Sequence, residues 1–319
     1  MHDPLYNLPG LAYGRHVLQK AQPYPSALDV PICSPKDWEQ LDDPGEIEQV
    51  LDRLRQATRF EVYRRPELYE LAYPGYAGDV DFYCEKGRTG KVLYLGVGTG
   101  RLFGPLADEN PAAVGIERSS EMRALFQERN PSLSPDRVLL ADAVEAEIPT
   151  ASFDTVLAPY SFLQVVDRAS LPQLLTNIHR WLRPGGRLYA DTFSPYLIPF
   201  RHSGIEFNIR QLSEQVRISI YVIYDHLAQA MRELALIDEN GSRQVLEMDL
   251  AYYLPQELVA QLTDAGFSFP QITGGYHGEP FDPQENEVLV YEAAKHIAGD
   301  DLPPAHPSTH PVSHPPFEW

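Results

Sequence analysis

The run Val92-Leu93-Tyr94-Leu95 passes without a break into Gly96-Val97-Gly98-Thr99-Gly100. Four apolar or aromatic residues in succession describe a strand buried on both faces, and such a strand belongs in a parallel sheet covered by helices. Glycines at alternate positions then let the backbone turn tightly and approach a ligand with no Cβ in the way. A helix is expected from Arg101, with the free N–H groups at its start pointing at the bound group. Strand, glycine turn and helix in that order form the opening unit of a doubly wound α/β domain and mark a nucleotide site. A turn with no ligand is the bland alternative. The dinucleotide fingerprint G-x-G-x-x-G is the competing functional one, but Arg101 stands where its third glycine belongs.

Later runs repeat the theme. Ala112 to Ile116, Val138 to Leu140, Thr155 to Ala158 and Leu188 to Ala190 are short, end in glycine or acid, and alternate with helical segments. That alternation predicts a Rossmann-like sheet wound on both sides. The best marked helix carries Leu171, Leu174, Leu175, Ile178, Trp181 and Leu182 on one face, with Ser170 and Gln173 spaced as a capping box and Pro184-Gly185-Gly186 as a stop. An earlier helix starts at Asp43-Pro44-Gly45-Glu46 and continues through Ile47, Val50, Leu51 and Leu54. From 203 to 253 the period changes: Ile218, Ile220 and Val222 alternate, Met231 to Ile237 is a second run, and Asn240-Gly241 is a type I′ hairpin signal. An antiparallel insertion is expected there. A helix from Pro255 to Ala265 and a strand from Glu287 to Tyr291 bring the chain back to the main sheet.

The expected organisation is an N-terminal arm and helix over residues 1–60, an α/β core over 61–202, a β insertion over 203–253, the rest of the core over 254–297, and a Pro/His-rich tail over 298–319. His306, His310 and His314 recur in that tail, but the prolines between them forbid the helix that would align them on a metal. No metal site is expected anywhere. Only Cys33 and Cys84 are present, so neither a disulfide framework nor a zinc site is suggested. Subtracting 45 acidic residues from 26 basic ones gives a formal −19, which repels nucleic acid and anionic membrane surfaces. With no leader-like start at Met1-His2-Asp3-Pro4 and no apolar stretch of membrane-spanning length, a cytoplasmic protein is expected. Insertion strands that expose an edge could join two copies as a homodimer.

The strand ends carry further chemistry. Gly115-Ile116-Glu117 puts a carboxylate where it can accept both ribose hydroxyls of an adenosyl group, and Ala141-Asp142-Ala143 puts another within reach of an adenine amino group. Phe153 to Tyr160 supplies a fourth strand, and Leu182-Arg183-Pro184-Gly185-Gly186-Arg187-Leu188 leads into a fifth. This succession resembles the class I S-adenosylmethionine-dependent methyltransferases, most closely their small-molecule enzymes, over about residues 60 to 295. Tyr69-Glu70-Leu71-Ala72-Tyr73, Gly115 to Met122, and Gly274 to Phe281 also look like that subgroup. The resemblance implies a seven-stranded sheet with its last strand antiparallel and S-adenosylmethionine as cofactor. It implies that Gly96, Gly98 and Gly100 line the methionine part, that Glu117 binds the ribose, and that Met122 packs near the adenine. Asp142 with Ala143 would read the adenine edge, the backbone of Ala158 and Pro159 would lie by the methionine amino group, and Tyr69 joins the cofactor residues. One departure stands out: Tyr94 occupies a position that is usually Asp or Glu in that family.

The activity so implied is methyl transfer to N, O or C of a small-molecule acceptor by in-line displacement. A nicotinamide-dependent oxidoreductase and a noncatalytic adenosyl-binding protein are the alternatives. Because such a displacement chiefly needs alignment, a base is required only where the acceptor must lose a proton. Tyr160, Asp191, His202 and His277 are the candidate catalytic residues, and Tyr76, Gln164 and Arg201 are the candidate acceptor contacts. Tyr160, Gln164 and Asp191 belong to the carboxyl rim of the sheet, where open α/β folds bind ligands. Arg201 could fork onto an acidic substrate group, with Arg210 as a second guanidinium. For each histidine and arginine, ordinary packing or surface pairing is the competing account.

Overall fold

The computed structural model describes residues 39–40, 43–198 and 205–296. The tail histidines, Arg201 and His202 lie outside them. The central sheet is built from β3 (Val92–Leu95), β4 (Ala113–Glu117), β5 (Val138–Leu140), β6 (Phe153–Ala158), β7 (Leu182–Phe193), β12 (Gln271–Thr273) and β13 (Val288–Ala294). Its seven strands run in the order β12-β13-β7-β6-β3-β4-β5. The last strand, β13, is antiparallel to both neighbours, while β3 to β7 pair in parallel. The Rossmann-like, doubly wound sheet expected from the alternation is the one observed.

Helices cover both faces for the reason that the strands are apolar on both. On one side α7 (Leu171–Trp181) and α8 (Pro255–Asp264) bury Leu174, Leu175, Ile178, Trp181, Leu258 and Leu262 against Leu93, Leu95 and Val156. On the other, α3 (Asp79–Gly87), α4 (Phe103–Glu109) and α5 (Ser120–Arg129) pack Tyr83, Phe103, Leu106 and Phe126 onto Val92, Tyr94 and Leu157.

A second sheet takes the order β1-β8-β9-β10-β11-β2, formed by β1 (Glu39–Gln40), β2 (Thr58–Glu61), β8 (Ile205–Gln211), β9 (Val216–Asp225), β10 (Ala230–Glu239) and β11 (Ser242–Ala251). Four consecutive strands are antiparallel, and the β10–β11 hairpin turns through Asn240 and Gly241 at φ 52° and 83° between the paired Glu239 and Ser242. Helix α1 (Pro44–Gln56) lies on one face, with Val50, Leu51 and Leu54 against Tyr221, Ile223, Leu234 and Leu236. Residues opposite in register share a face, so Ile218, Ile220 and Val222 meet Ile237, Ala235 and Glu233 on the other side. That side closes over α2 (Pro66–Ala72) and the rim of the central sheet.

Three local expectations need correction. The turn after Gly100 runs on before α4 starts at Phe103, not Arg101. Ser170 does not cap α7: its own backbone is already helical and its side chain makes no capping bond. Pro184-Gly185-Gly186 ends no helix, because α7 gives way at Leu182 directly to β7 and the glycines sit in an irregularity between the Phe153 and Thr155 pairings. The cap at Asp43 is formed as expected, its Oδ1 accepting from Gly45 N at 2.7 Å and Glu46 N at 3.2 Å.

Candidate active site

The carboxyl ends of the five parallel strands open into a cavity of about 360 Å³, roofed by the second sheet through Met231, Glu233, Met248 and Leu250. A second space of about 860 Å³ lies against Gly100, Arg101 and the loop from Leu212 to Val216, and Tyr69, Tyr73, Gly96, Gly98 and Tyr160 border both. The two are therefore adjoining compartments separated by tyrosine rings and the glycine turn.

The floor is the glycine turn. At Gly98, φ is +56° and an added Cβ would meet nothing within 4 Å, so the backbone lies bare to the cavity. At Gly100 the reason for glycine is different: a Cβ would stand 2.2 Å from the Phe126 ring. Glu117, at the end of β4, is buried at 5 % exposure and joins the turn to the next helix. Its Oε2 accepts from Gly98 N and its Oε1 from Ser119 N, both at 2.7 Å. Burial pushes its carboxyl above the usual glutamate range, and those backbone donors pull it back. Ser119 in turn caps α5, its Oγ accepting from Met122 N at 3.1 Å, which seats the buried Met122 in the wall. Asp142 and Ala143 complete that end; Asp142 is exposed, with Oδ1 accepting from Val144 N at 2.7 Å.

Behind the turn, Tyr94 is buried and packs on Phe103 with ring centroids 5.3 Å apart. Asp79 on α3, fully buried, takes both terminal nitrogens of Arg101 at 2.9 and 2.6 Å and also accepts from Tyr76 N. The Arg101 guanidinium then lies 5.3 Å over the Tyr160 ring.

Tyr160 and Ser161 follow β6 in the left-handed region, at φ 55° and 58°. Non-glycine residues rarely sit there unless the surroundings impose it. Asp191 imposes it: Oδ2 accepts from Tyr160 N at 2.7 Å and from the Tyr83 hydroxyl at 2.6 Å, while Oδ1 accepts from Ser161 N at 2.6 Å. Complete burial lifts the Asp191 carboxyl to about 6 against those donors.

The candidates taken from the sequence divide accordingly. Gly96, Gly98, Glu117, Met122, Asp142, Ala143, Tyr69, Tyr76 and Tyr160 all line the first cavity. Gly100 borders only the second, and Ala158 is fully buried beneath its neighbour Pro159, which does reach the first. Asp191 lines neither cavity, since both its oxygens are turned to the loop they hold. Gln164 is also buried away from both, with Oε1 accepting from Phe193 N at 2.9 Å. His277 is exposed on the outside against Gly78, and its backbone N donates to Glu279. These three are corrections: strand-end position put Gln164 and Asp191 near the rim, but their side chains are directed elsewhere, and His277, a candidate by residue type alone, lies outside both cavities. Arg210 donates to the Ala72 carbonyl inside the protein and lines neither space.

Glu233 was missed. The signal was available in β10, where Met231, Glu233, Ala235 and Ile237 occupy the core-facing positions and one of the four is an acid. Among the described residues no group of His, Cys, Asp or Glu is arranged to hold a metal ion, and no helix is long and apolar enough to cross a membrane.

Residues 92–186 match a family described as a methyltransferase domain. An uncharacterized methyltransferase of Anoxybacillus flavithermus is 30 % identical over 148 residues, covering 46 % of this chain and 68 % of its own length. Another, from Geobacillus kaustophilus, is 28 % identical over 202 residues, 62 % of this chain and 89 % of that protein. Among solved structures, the CcbJ methyltransferase of Streptomyces caelestis superposes with a TM-score of 0.65 at 21 % identity, over 75 % of this chain and 99 % of its own.

Proposed function

This chain belongs to the class I S-adenosylmethionine-dependent methyltransferases, and on that premise we propose that the cavity beneath the second sheet is where donor and small-molecule acceptor meet. S-adenosylmethionine supplies a methyl group on a sulfonium, an electrophile open to in-line attack. The observation that carries the reading is that one cavity is lined together by Gly96 and Gly98, the Glu117 carboxylate, Met122, and Asp142 with Ala143. This set suits an adenosyl group: bare backbone at Gly98, an acid for the ribose diol, and an apolar wall with a polar edge for the base. Tyr69, Tyr76 and Tyr160 would close the space and exclude water, and the loop held by Asp191 would keep Tyr160 in position. The second sheet, reaching in with Met231, Glu233, Met248 and Leu250, would bound the acceptor side. The net charge of −19 supports an acceptor taken from solution in the cytoplasm rather than from nucleic acid or an anionic membrane.

Calorimetric titration with S-adenosylhomocysteine tests this reading, with NAD as control. Binding by the parent, absent for NAD and weakened about tenfold or more in Glu117→Ala, is the expected result, since a buried diol–carboxylate contact contributes on the order of 1.5–3 kcal/mol. Failure of the parent to bind, or unchanged affinity in the variant, would overturn the assignment of the site.

A further inference from the structure

Glu233 is the acid whose placement the cofactor reading leaves unexplained. Its cross-strand partners are Val222 and Met248, so its register neighbours offer it no hydrogen-bond donor. It is nine-tenths buried, yet it forms no ion pair among the described residues. The Tyr73 phenol from α2 and the Arg210 guanidinium from β8 face it closely enough to favour its anion, and Tyr76 and Tyr160 face it from the loops after α2 and β6. Arg210 is committed to the Ala72 carbonyl, which leaves the Tyr73 phenol as the acid's nearest polar neighbour, though Tyr73 Oη completes no well-formed hydrogen bond with it. A buried carboxylate with one loosely placed phenol beside it is costly unless something else meets it.

What meets it is constrained by the walls. Tyr69 and Tyr73 stand 5.0 Å apart and Tyr76 and Tyr160 5.4 Å apart, presenting aromatic faces beside the acid. Aromatic faces and a carboxylate together attract a cation and repel an anion. Arg118 is the only cationic side chain in the described lining and is occupied over the Tyr63 ring at 5.0 Å.

Resting on the methyl-transfer reading of this cavity, we infer that the acceptor is an amine and that Glu233 receives its proton. An aliphatic amine arrives at neutral pH as ammonium, which has no lone pair to attack with. The ammonium gives one proton to the Glu233 carboxylate, and the freed lone pair forms the N–C bond to the sulfonium methyl. The C–S bond breaks with its electron pair staying on sulfur, and the methylated nitrogen leaves as an ammonium. Glu233 then returns its proton to water. Burial holds this carboxyl at about 7, where a carboxylate both ionises and accepts a proton under ordinary conditions. A hydroxyl acceptor would bring no charge for the acid and the rings to recognise.

The test uses three probes of one shape on the full chain saturated with S-adenosylhomocysteine: benzylamine, benzyl alcohol and phenylacetate. Benzylamine is expected to bind about tenfold or more tightly than either of the others, with that preference lost in Glu233→Gln. Its affinity should also fall as pH drops below about 7, where Glu233 takes a proton. Equal binding of amine and alcohol, preference for phenylacetate, or no benzylamine binding to the loaded protein overturns the inference. The probe series on the parent answers the question even where the variant does not fold. Absence of S-adenosylhomocysteine binding would instead overturn the cofactor site, so the two failures are told apart.

Discussion

Asp191 shows how a single residue can matter to a site it does not enter. Its two oxygens accept three hydrogen bonds, from Tyr160 N, Ser161 N and the Tyr83 hydroxyl, and those bonds hold two non-glycine residues at positive φ. Truncation to alanine would strand three buried donors, each costing on the order of 1–3 kcal/mol. Asp191→Ala should therefore lower the urea-unfolding free energy by about 3 kcal/mol or more. Asp191→Asn is the informative companion, because one carboxamide oxygen replaces an acceptor while its NH₂ confronts a backbone N–H. It should fold, but with weaker S-adenosylhomocysteine binding, since the loop carrying Tyr160 into the cavity is no longer held. A variant as stable as the parent would show that the loop conformation does not depend on this carboxylate. At this scale the sequence was only half legible: position after a strand placed Asp191 at the rim, but the direction of its side chain depended on Tyr83, more than a hundred residues earlier.

Among the elements, helix starts give a sharp comparison. Asp43 and Ser170 both precede a proline in the first turn, and both look like caps in sequence. Asp43 is extended and bonded to two amides, so Asp43→Ala should cost about 1 kcal/mol in thermal or urea unfolding. Ser170 is helical and uncapping, held by the preceding turn through Asp167, so Ser170→Ala should fall within about 0.5 kcal/mol of the parent. Equal losses would contradict the geometry described. Strands were legible where the signal was local: the apolar run of β3, the alternation of β9, and the Asn240–Gly241 turn all appear as read. The pairing of β2 with β11 was not, because Thr58–Glu61 meets Gln244–Glu247 across the whole first part of the core and most of the insertion, and nothing within four residues encodes a partner so distant. Glu233 escaped for a related reason. Its alternation with Met231 and Ala235 marked it as inward-facing, but only the docking of the second sheet over α2 shows that inward means towards a cavity.

Taken as a whole, the molecule carries buried acids that tie its stability to pH, Asp191 and Glu233 most strongly. Asp191 is raised to about 6 and Glu233 to about 7, from ordinary values of 3.8 and 4.5. In each case the folded state binds a proton that the unfolded chain has already released at the same pH. Their contribution is therefore fully present below about pH 4 and is lost as pH rises through 6 and then 7. The melting temperature should fall between pH 5 and pH 8, and self-repulsion of a chain with net charge −19 pushes in the same direction. Glu233→Gln separates the two effects, because it removes one titrating group and hardly alters the overall charge. The variant's melting temperature should decline less steeply over pH 6 to 8 than the parent's, so that the two curves converge or cross at the alkaline end. Parallel curves would mean that Glu233 is not buried as described. If Glu233 meets an ammonium in function, benzylamine should stabilise the parent more at pH 8 than at pH 5, since only the ionised carboxylate gains a partner. The charge that burial makes costly is then the charge that recognises the acceptor.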